Sequence, residues 1–463
     1  MIGPALGQLR LRPAAFAGVA TALVTAVGAL TLFGTLAAAR QAAPPGTGRA
    51  ETGPGLLVIA AAFGEIAVLV AFFVLVNALG YAVRQQHREL TLLRTVAATP
   101  RQIRALVRRQ TVLLTAVAAP AGWAAGTAGA RWFLGELTAR RMAPAGLHAR
   151  LTLPVAAGSA LLALLVALAA TALAARRITR TAPAAALAES TTGTADRGSR
   201  AGLARTALGL IVLAGGGVLC TVIARQPAEK AGQATLLVTL LLLAGLALCG
   251  PALARALAAL LGPPARLAAP RAGWLAAANL RGHAHRLSAA VVPITLLTGF
   301  SGTMLLMTRT VEHHLQGRAA AAGLATVTSP GDVWLRQAET GLLAGFTAVA
   351  TVNTLAALTA DRRREFALLA LVGATRRQIA RMLTVEALLT TAIGVLLGAA
   401  VAWTATAAFA HALTGTAAPA VPWAGFGRIA ATALLLTAPG ILLAGLRATA
   451  GPAVDRLTGG RRD

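Results

Sequence analysis

The residues of this chain able to do chemistry are few, and the most regular of them occur twice. Glu89, Leu92, Leu93, Thr99, Arg101 and Gln102 recur at identical spacing as Glu365, Leu368, Leu369, Thr375, Arg377 and Gln378. Neither set holds a nucleophile with its base or a group of metal ligands, which covalent or metal chemistry would need. Carboxylate and guanidinium groups at these positions suit ion pairs instead, with a partner protein or within their own loop. Two further carboxylates stand apart: Glu65 falls inside an apolar block, and Glu339 opens another. A charge in such a block is expensive and is by default a functional candidate. Together the two are candidates to face a cavity and meet a cationic substrate or an arginine. The alternative is a paired or snorkelling acid. His283, His285, His313 and His314 lack ligand-like spacing and read as ordinary interface residues. The sequence therefore offers no catalytic residue and no metal set.

It also offers no means of hydrolysing ATP. A phosphate-binding loop requires G-x-x-x-x-G-K-[ST], and the only lysine, Lys230, lies between Glu229 and Ala231.

The elements that must position these residues follow from composition. Of 463 residues, 57% are hydrophobic and 12% charged, about half the charge of an ordinary soluble chain. Lipid must cover much of such a surface. The apolar residues form blocks of bilayer-spanning length, roughly 20 residues each. Ten spans are expected, at about 14–37, 56–80, 106–130, 153–175, 203–223, 233–258, 287–309, 337–360, 381–410 and 427–447. The fold class is thus an all-α polytopic membrane protein. The first block is too long for a signal-peptide core of about 7–15 residues and reads as a retained span. The net charge of +27 does not point to nucleic acid, because the arginines cluster between spans with few aromatic residues to stack on bases. Placing both termini in the cytoplasm puts most of them on the inner side, as the positive-inside rule requires. Arg131, Arg140, Arg141 and Arg150 depart from it, and nothing in the sequence accounts for them. Cys220 and Cys249 lie in apolar blocks and suggest no disulfide framework.

The twin residues belong to a longer repeat. Residues 89–103 read ELTLLRTVAATPRQI and residues 365–379 read EFALLALVGATRRQI, with nine of fifteen positions identical. Each copy lies on the inner side between two spans, so the repeat is parallel, with an axis near the membrane normal. Leu92, Leu93, Val96 and Ile103, like Leu368, Leu369, Val372 and Ile379, recur at helical intervals opposite Arg and Gln. This predicts a short amphipathic helix at the membrane surface. Ala97 or Gly373 marks its end, and Thr99 or Thr375 caps the next helix.

The pattern E-x-x-L-L-x-x-x-G/A-A-T-x-R-Q-I between two spans resembles the FtsX-like permease domain of ABC transporters, the group that includes macrolide exporters, lipoprotein-releasing permeases and peptide-antibiotic resistance permeases. The resemblance covers two four-span units, 1–190 and 271–463, with 191–270 supplying a linker and two connecting spans. Each unit ends on a Pro-Ala step, Pro183-Ala184 or Pro452-Ala453, and Asn279-Leu280-Arg281 opens the second as Leu9-Arg10 opens the first. By resemblance, residues 84–105 and 360–381 are coupling helices that dock into an ATPase subunit. The branch with ten spans carries a large external domain between its seventh and eighth. Here only residues 310–336 stand there, so that branch's substrate capture does not carry over.

What the resemblance implies is a non-enzymatic permease of the cell membrane, working with a separate ATPase, expected as a dimer, that binds ATP and magnesium. Its cargo would be a hydrophobic or amphipathic compound such as an antibiotic or peptide, with efflux and resistance as its use. Two other readings stay open: an ATPase-driven sensor that transports nothing, and an ion-coupled secondary transporter.

Overall fold

A computed structural model describes residues 13–43, 55–85, 99–180, 200–322 and 363–448, with parts of 331–351. Every regular element among them is an α-helix. In chain order these are α1 (Pro13–Gln41), α2 (Leu56–Gln85), α3 (Pro100–Ala139), α4 (Leu153–Arg180), α5 (Arg200–Ile223), α6 (Ala228–Ala268), α7 (Pro270–Gly282), α8 (Ala284–Ala321), α9 (Arg363–Leu371), α10 (Arg376–Thr414) and α11 (Trp423–Ala448). Eight of them are long and apolar enough to cross a membrane. The second expected span corresponds to α2, and the eighth falls largely outside the described residues. The helix α7 was not anticipated. Pro270 stands at its first turn, where a missing N–H costs nothing.

The chain divides into two compact units. One comprises residues 1–195 with 328–350, the other 196–327 with 351–463. In the first, α1 packs along α3 and α2, with α4 beside all three. In the second, α8 packs along α10, flanked by α6 and α11, while α5 lies against α6.

The main crossing in each unit is made by glycine. A Cβ placed on Gly122 of α3 would sit 2.7 Å from Val27 Cβ, and one on Gly126 would strike the Gly28 carbonyl oxygen of α1. In the second unit a Cβ on Gly398 of α10 would sit 2.6 Å from Thr298 Cβ and 2.8 Å from the Gly299 nitrogen of α8. Looking back across the same contacts, a Cβ on Gly28 would lie 3.4 Å from the Gly122 oxygen, and one on Gly299 3.5 Å from the Gly398 oxygen. Within lipid, hydrophobicity gives helices no reason to associate, so close packing of small residues must hold them together. By contrast, Gly341 and Gly345, which share this spacing, have nothing within 4 Å of such a Cβ among the described residues.

Many hydroxyls inside the helices bond to their own helix's backbone, because the bilayer supplies no water. Thr111 donates to Val107 O at 3.0 Å, Thr235 to Ala231 O at 2.7 Å and Thr390 to Glu386 O at 2.7 Å. A few hydroxyls instead join helices. Thr31 donates to Ser159 at 3.0 Å, linking α1 to α4, and Thr239 to Thr303 at 3.3 Å, linking α6 to α8.

Substituting Gly126→Val or Gly398→Val should therefore force the crossing helices apart, at a cost of about 1–3 kcal/mol or more. Gly158→Ala, at a position with nothing within 4 Å, should leave stability within about 1 kcal/mol of the parent. Thermal unfolding of the detergent-solubilised protein distinguishes the two classes.

Candidate coupling site

The repeated motif resolves into two helix signals placed back to back. In the second copy α9 ends at Leu371, and Gly373 adopts a left-handed conformation with φ of 93°. The Ala374 N–H then reaches back to Leu369 O at 2.9 Å. This six-to-one bond across a left-handed glycine is a Schellman motif, which satisfies carbonyls the helix end would leave unpaired. Two residues later α10 begins. Thr375 accepts from the Gln378 N–H at 3.3 Å, and the Gln378 side chain accepts from the Thr375 N–H at 2.9 Å. That reciprocal capping box occupies two orphan donors at once. The first copy has the same cap on α3. Thr99 accepts from the Gln102 N–H at 3.3 Å, Gln102 Oε1 accepts from the Thr99 N–H at 2.8 Å, and Pro100 occupies the first helical turn.

Thus Thr99, Gln102, Thr375 and Gln378 fix where the helices start, with their side chains engaged in the caps. Arg101 and Arg377 are exposed beside them. Glu89, Leu92 and Leu93 lie outside the described residues.

The faces of α9 differ from a simple amphipathic pattern. Leu368 and Leu369 are successive, about 100° apart on a helix, so they cannot share a face. Leu369 packs against the core, and Phe366 is fully buried there among Leu280, Leu287, Met382 and Leu383. Leu368, Leu371 and Val372 point outward, 50%, 54% and 89% exposed. Spaced by three and four, they form one apolar stripe. The helix is therefore anchored on one side and bare on the other.

Polar contacts tie the same helix to α7. The Glu365 carboxylate lies 4.0 Å from His283 Nε2. His283 Nδ1 lies 3.0 Å from Asn279 Oδ1, and Asn279 Nδ2 donates to Glu386 of α10 at 3.4 Å. Glu365 thus faces the junction of α7 and α8. The sequence had singled out neither Phe366 nor the Asn279–Glu386 contact. Phe366 aligns with Leu90, a substitution of one apolar residue for another that carries no visible signal.

The two remaining acids are placed separately. Glu65 is exposed on α2, and Glu339 is half-buried in the 331–351 segment. No hydrogen bond or ion pair joins the two among the described residues.

Removing the cap has a calculable consequence. Thr375→Ala should cost about 0.5–2 kcal/mol, and Thr375→Ser should recover most of it. Hydrogen exchange at the amides of residues 376–378 should accelerate in the alanine variant alone.

The two stretches so described are also where the chain matches known proteins. The FtsX-like permease C-terminal family matches residues 61–183 and 340–453, together just over half of the chain. Comparison with curated proteins gives no match. Each matched stretch runs through a capped turn, at Thr99 or Thr375, into the long helix whose glycine makes the crossing. The chain belongs to the FtsX-like permease family and is a permease subunit of an ABC transporter.

Proposed function

We propose that this permease couples ATP hydrolysis by a separate ATPase dimer to export, or extraction from the membrane, of a hydrophobic or amphipathic compound such as an antibiotic or peptide. ATP and magnesium belong to that partner. The single observation that carries the coupling is the exposed stripe of Leu368, Leu371 and Val372 on a helix locked from behind by Phe366. Apolar side chains at a surface mark a contact site when they are grouped. Val372 at 89% exposure would gain most from entering a groove on the ATPase.

The mechanical argument follows from what holds α9. A force applied to its outer stripe meets Phe366, the Glu365–His283 contact and the four-residue turn, 372–375, into α10. None of these is a flexible tether, so displacement of α9 moves α10 and the end of α7 with it. The 39 residues of α10 span about 58 Å at 1.5 Å per residue, enough to carry a tilt from the coupling end across a bilayer. Residues 84–105 would dock in the same way, with Glu89 and Arg101 serving as Glu365 and Arg377 do in the second copy. Two such elements in one chain match two ATPase subunits.

The protein resides in the cell membrane in this reading, with both termini and both coupling elements in the cytoplasm. Substrate enters from the bilayer, and Glu65 and Glu339 are candidates to meet a cationic group on it.

The test is purification of the tagged full-length chain with its ATPase. The parent should retain two ATPase subunits per permease. Leu368→Asp/Val372→Asp should lose the second-site subunit, at a cost of about 2 kcal/mol or more, as for a buried interface anchor, while unfolding at the parental temperature. Glu89→Ala/Glu365→Ala should lower ATP-driven transport. Undiminished retention by the aspartate variant would remove α9 as a docking element.

A further inference from the structure

The end of the first unit farthest from the Thr99 cap carries a feature that coupling does not use. There α3 terminates at Ala139, and residues 140–152 return to α4 through two left-handed positions, Arg141 with φ of 59° and Gly146 with φ of 85°. A left-handed conformation is uncommon for a residue with a side chain and draws attention to the turn that holds it. The returning chain places the Ala149 carbonyl 3.4 Å from Arg131 Nε, which donates to it. Between α3 and this return lies an open recess of about 570 Å³.

Its lining is one-signed. Arg131, His148 and Arg150 contribute the charged or ionisable groups, Thr138 a hydroxyl, and Leu134 and Leu147 apolar walls. None of the ten described lining residues is acidic. The nearby acid Glu136 is engaged elsewhere: it pairs with Arg140, whose guanidinium also stacks 4.4 Å from the centre of the Trp334 ring. Arg140 is thereby accounted for as a structural clamp, holding the 331–351 segment against the Phe33–Phe63–Phe133 cluster. Arg131 spends one donor on the Ala149 carbonyl, and neither Arg131 nor Arg150 has an acidic partner among the described residues. Like charges gathered around one concavity raise the local concentration of anions.

The ligand class follows from the donors. Guanidinium groups present planar forks that match the oxygens of a phosphate, and a threonine hydroxyl adds a neutral donor. The flanking positions are apolar and exposed: Trp132 at 64% and Leu153 at 82%. An exposed tryptophan beside cationic residues at a helix end suits the headgroup level of a bilayer. We propose that this recess binds a phosphate group, gripped by Arg131 and Arg150, and that in the membrane the group is the headgroup of an anionic phospholipid. The site depends on neither the ATPase partner nor the transported compound, so its test is separate from theirs.

The experiment uses the full chain in an uncharged detergent, compared with Arg131→Ala/Arg150→Ala and with Arg225→Ala as a control outside the recess. Native mass spectrometry measures retention of phosphatidylglycerol against phosphatidylcholine, and thermal unfolding measures stabilisation by inorganic phosphate. The parent and the control should retain phosphatidylglycerol at least tenfold over phosphatidylcholine, and the double variant should lose that preference. Equal retention of the two lipids, combined with phosphate stabilisation that the double variant lacks, would assign the site to the free anion. Absence of an arginine-dependent effect in both arms would overturn the proposal. Should the alanine variant fold poorly, Arg131→Gln/Arg150→Gln keeps the side-chain bulk and removes the charge, with the same outcomes.

Discussion

The near-contact of backbones at Gly28–Gly122 and at Gly299–Gly398 is the constraint on which each unit depends. Once these helices touch through their main chains, the remaining side chains can close the gap on either side. The first unit fills it with Val19, Leu23, Leu75 and Leu114, the second with Leu287, Val291, Leu383 and Ile393. In a soluble protein such packing would follow from expulsion of water. Here lipid competes with protein on nearly equal terms, and only tight fit discriminates between them.

In the proposed coupling, the same crossing gives the turn its leverage. The helices α3 and α10 each begin at a closed capping box and run directly into a glycine crossing. A helix start without its cap would fray, and a fraying end absorbs displacement instead of transmitting it. The Schellman turn at Gly373 serves the same end, since it joins α9 to α10 through residues whose hydrogen bonds are all local. Behind the turn, Phe366 fixes α9 in the core it shares with α7, α8, α10 and α11, and contacts run from Glu365 through His283 and Asn279 to Glu386. Rigidity on the buried face and bare leucine and valine on the exposed face are complementary parts of the proposed coupling.

Much of this was legible in the sequence because spans and caps are written in local code. Runs of apolar residues predicted the long helices, and Thr before a helix predicted the caps at 99 and 375. The glutamines of the motif read equally well as surface contacts, and only the geometry shows them folded back onto the caps. The partner glycines were hidden for a different reason. The motif repeats at an offset of 276, yet Gly28 and Gly299 are 271 apart, as are Leu9 and Leu280. A five-residue difference in the intervening chain moves the first helix of each unit out of the register that exposed the repeat. The direction of Leu368 against Leu369 depends on helical phase, which two adjacent leucines leave undetermined. The outer arginines made no sense as a list, because Arg140 is a clamp on Trp334 while Arg131 and Arg150 line a recess.

The central claim, that the bare stripe of α9 is the contact through which an ATPase moves this permease, can be tested without purifying the complex. A photo-reactive amino acid would replace Val372 in cells, with a second at Val117, which is 76% exposed on the apolar middle of α3. Irradiation followed by mass spectrometry should attach an ATP-binding subunit at position 372 and only lipid at position 117. Lipid alone at both positions would contradict the account, since α9 would then face the bilayer and not a partner.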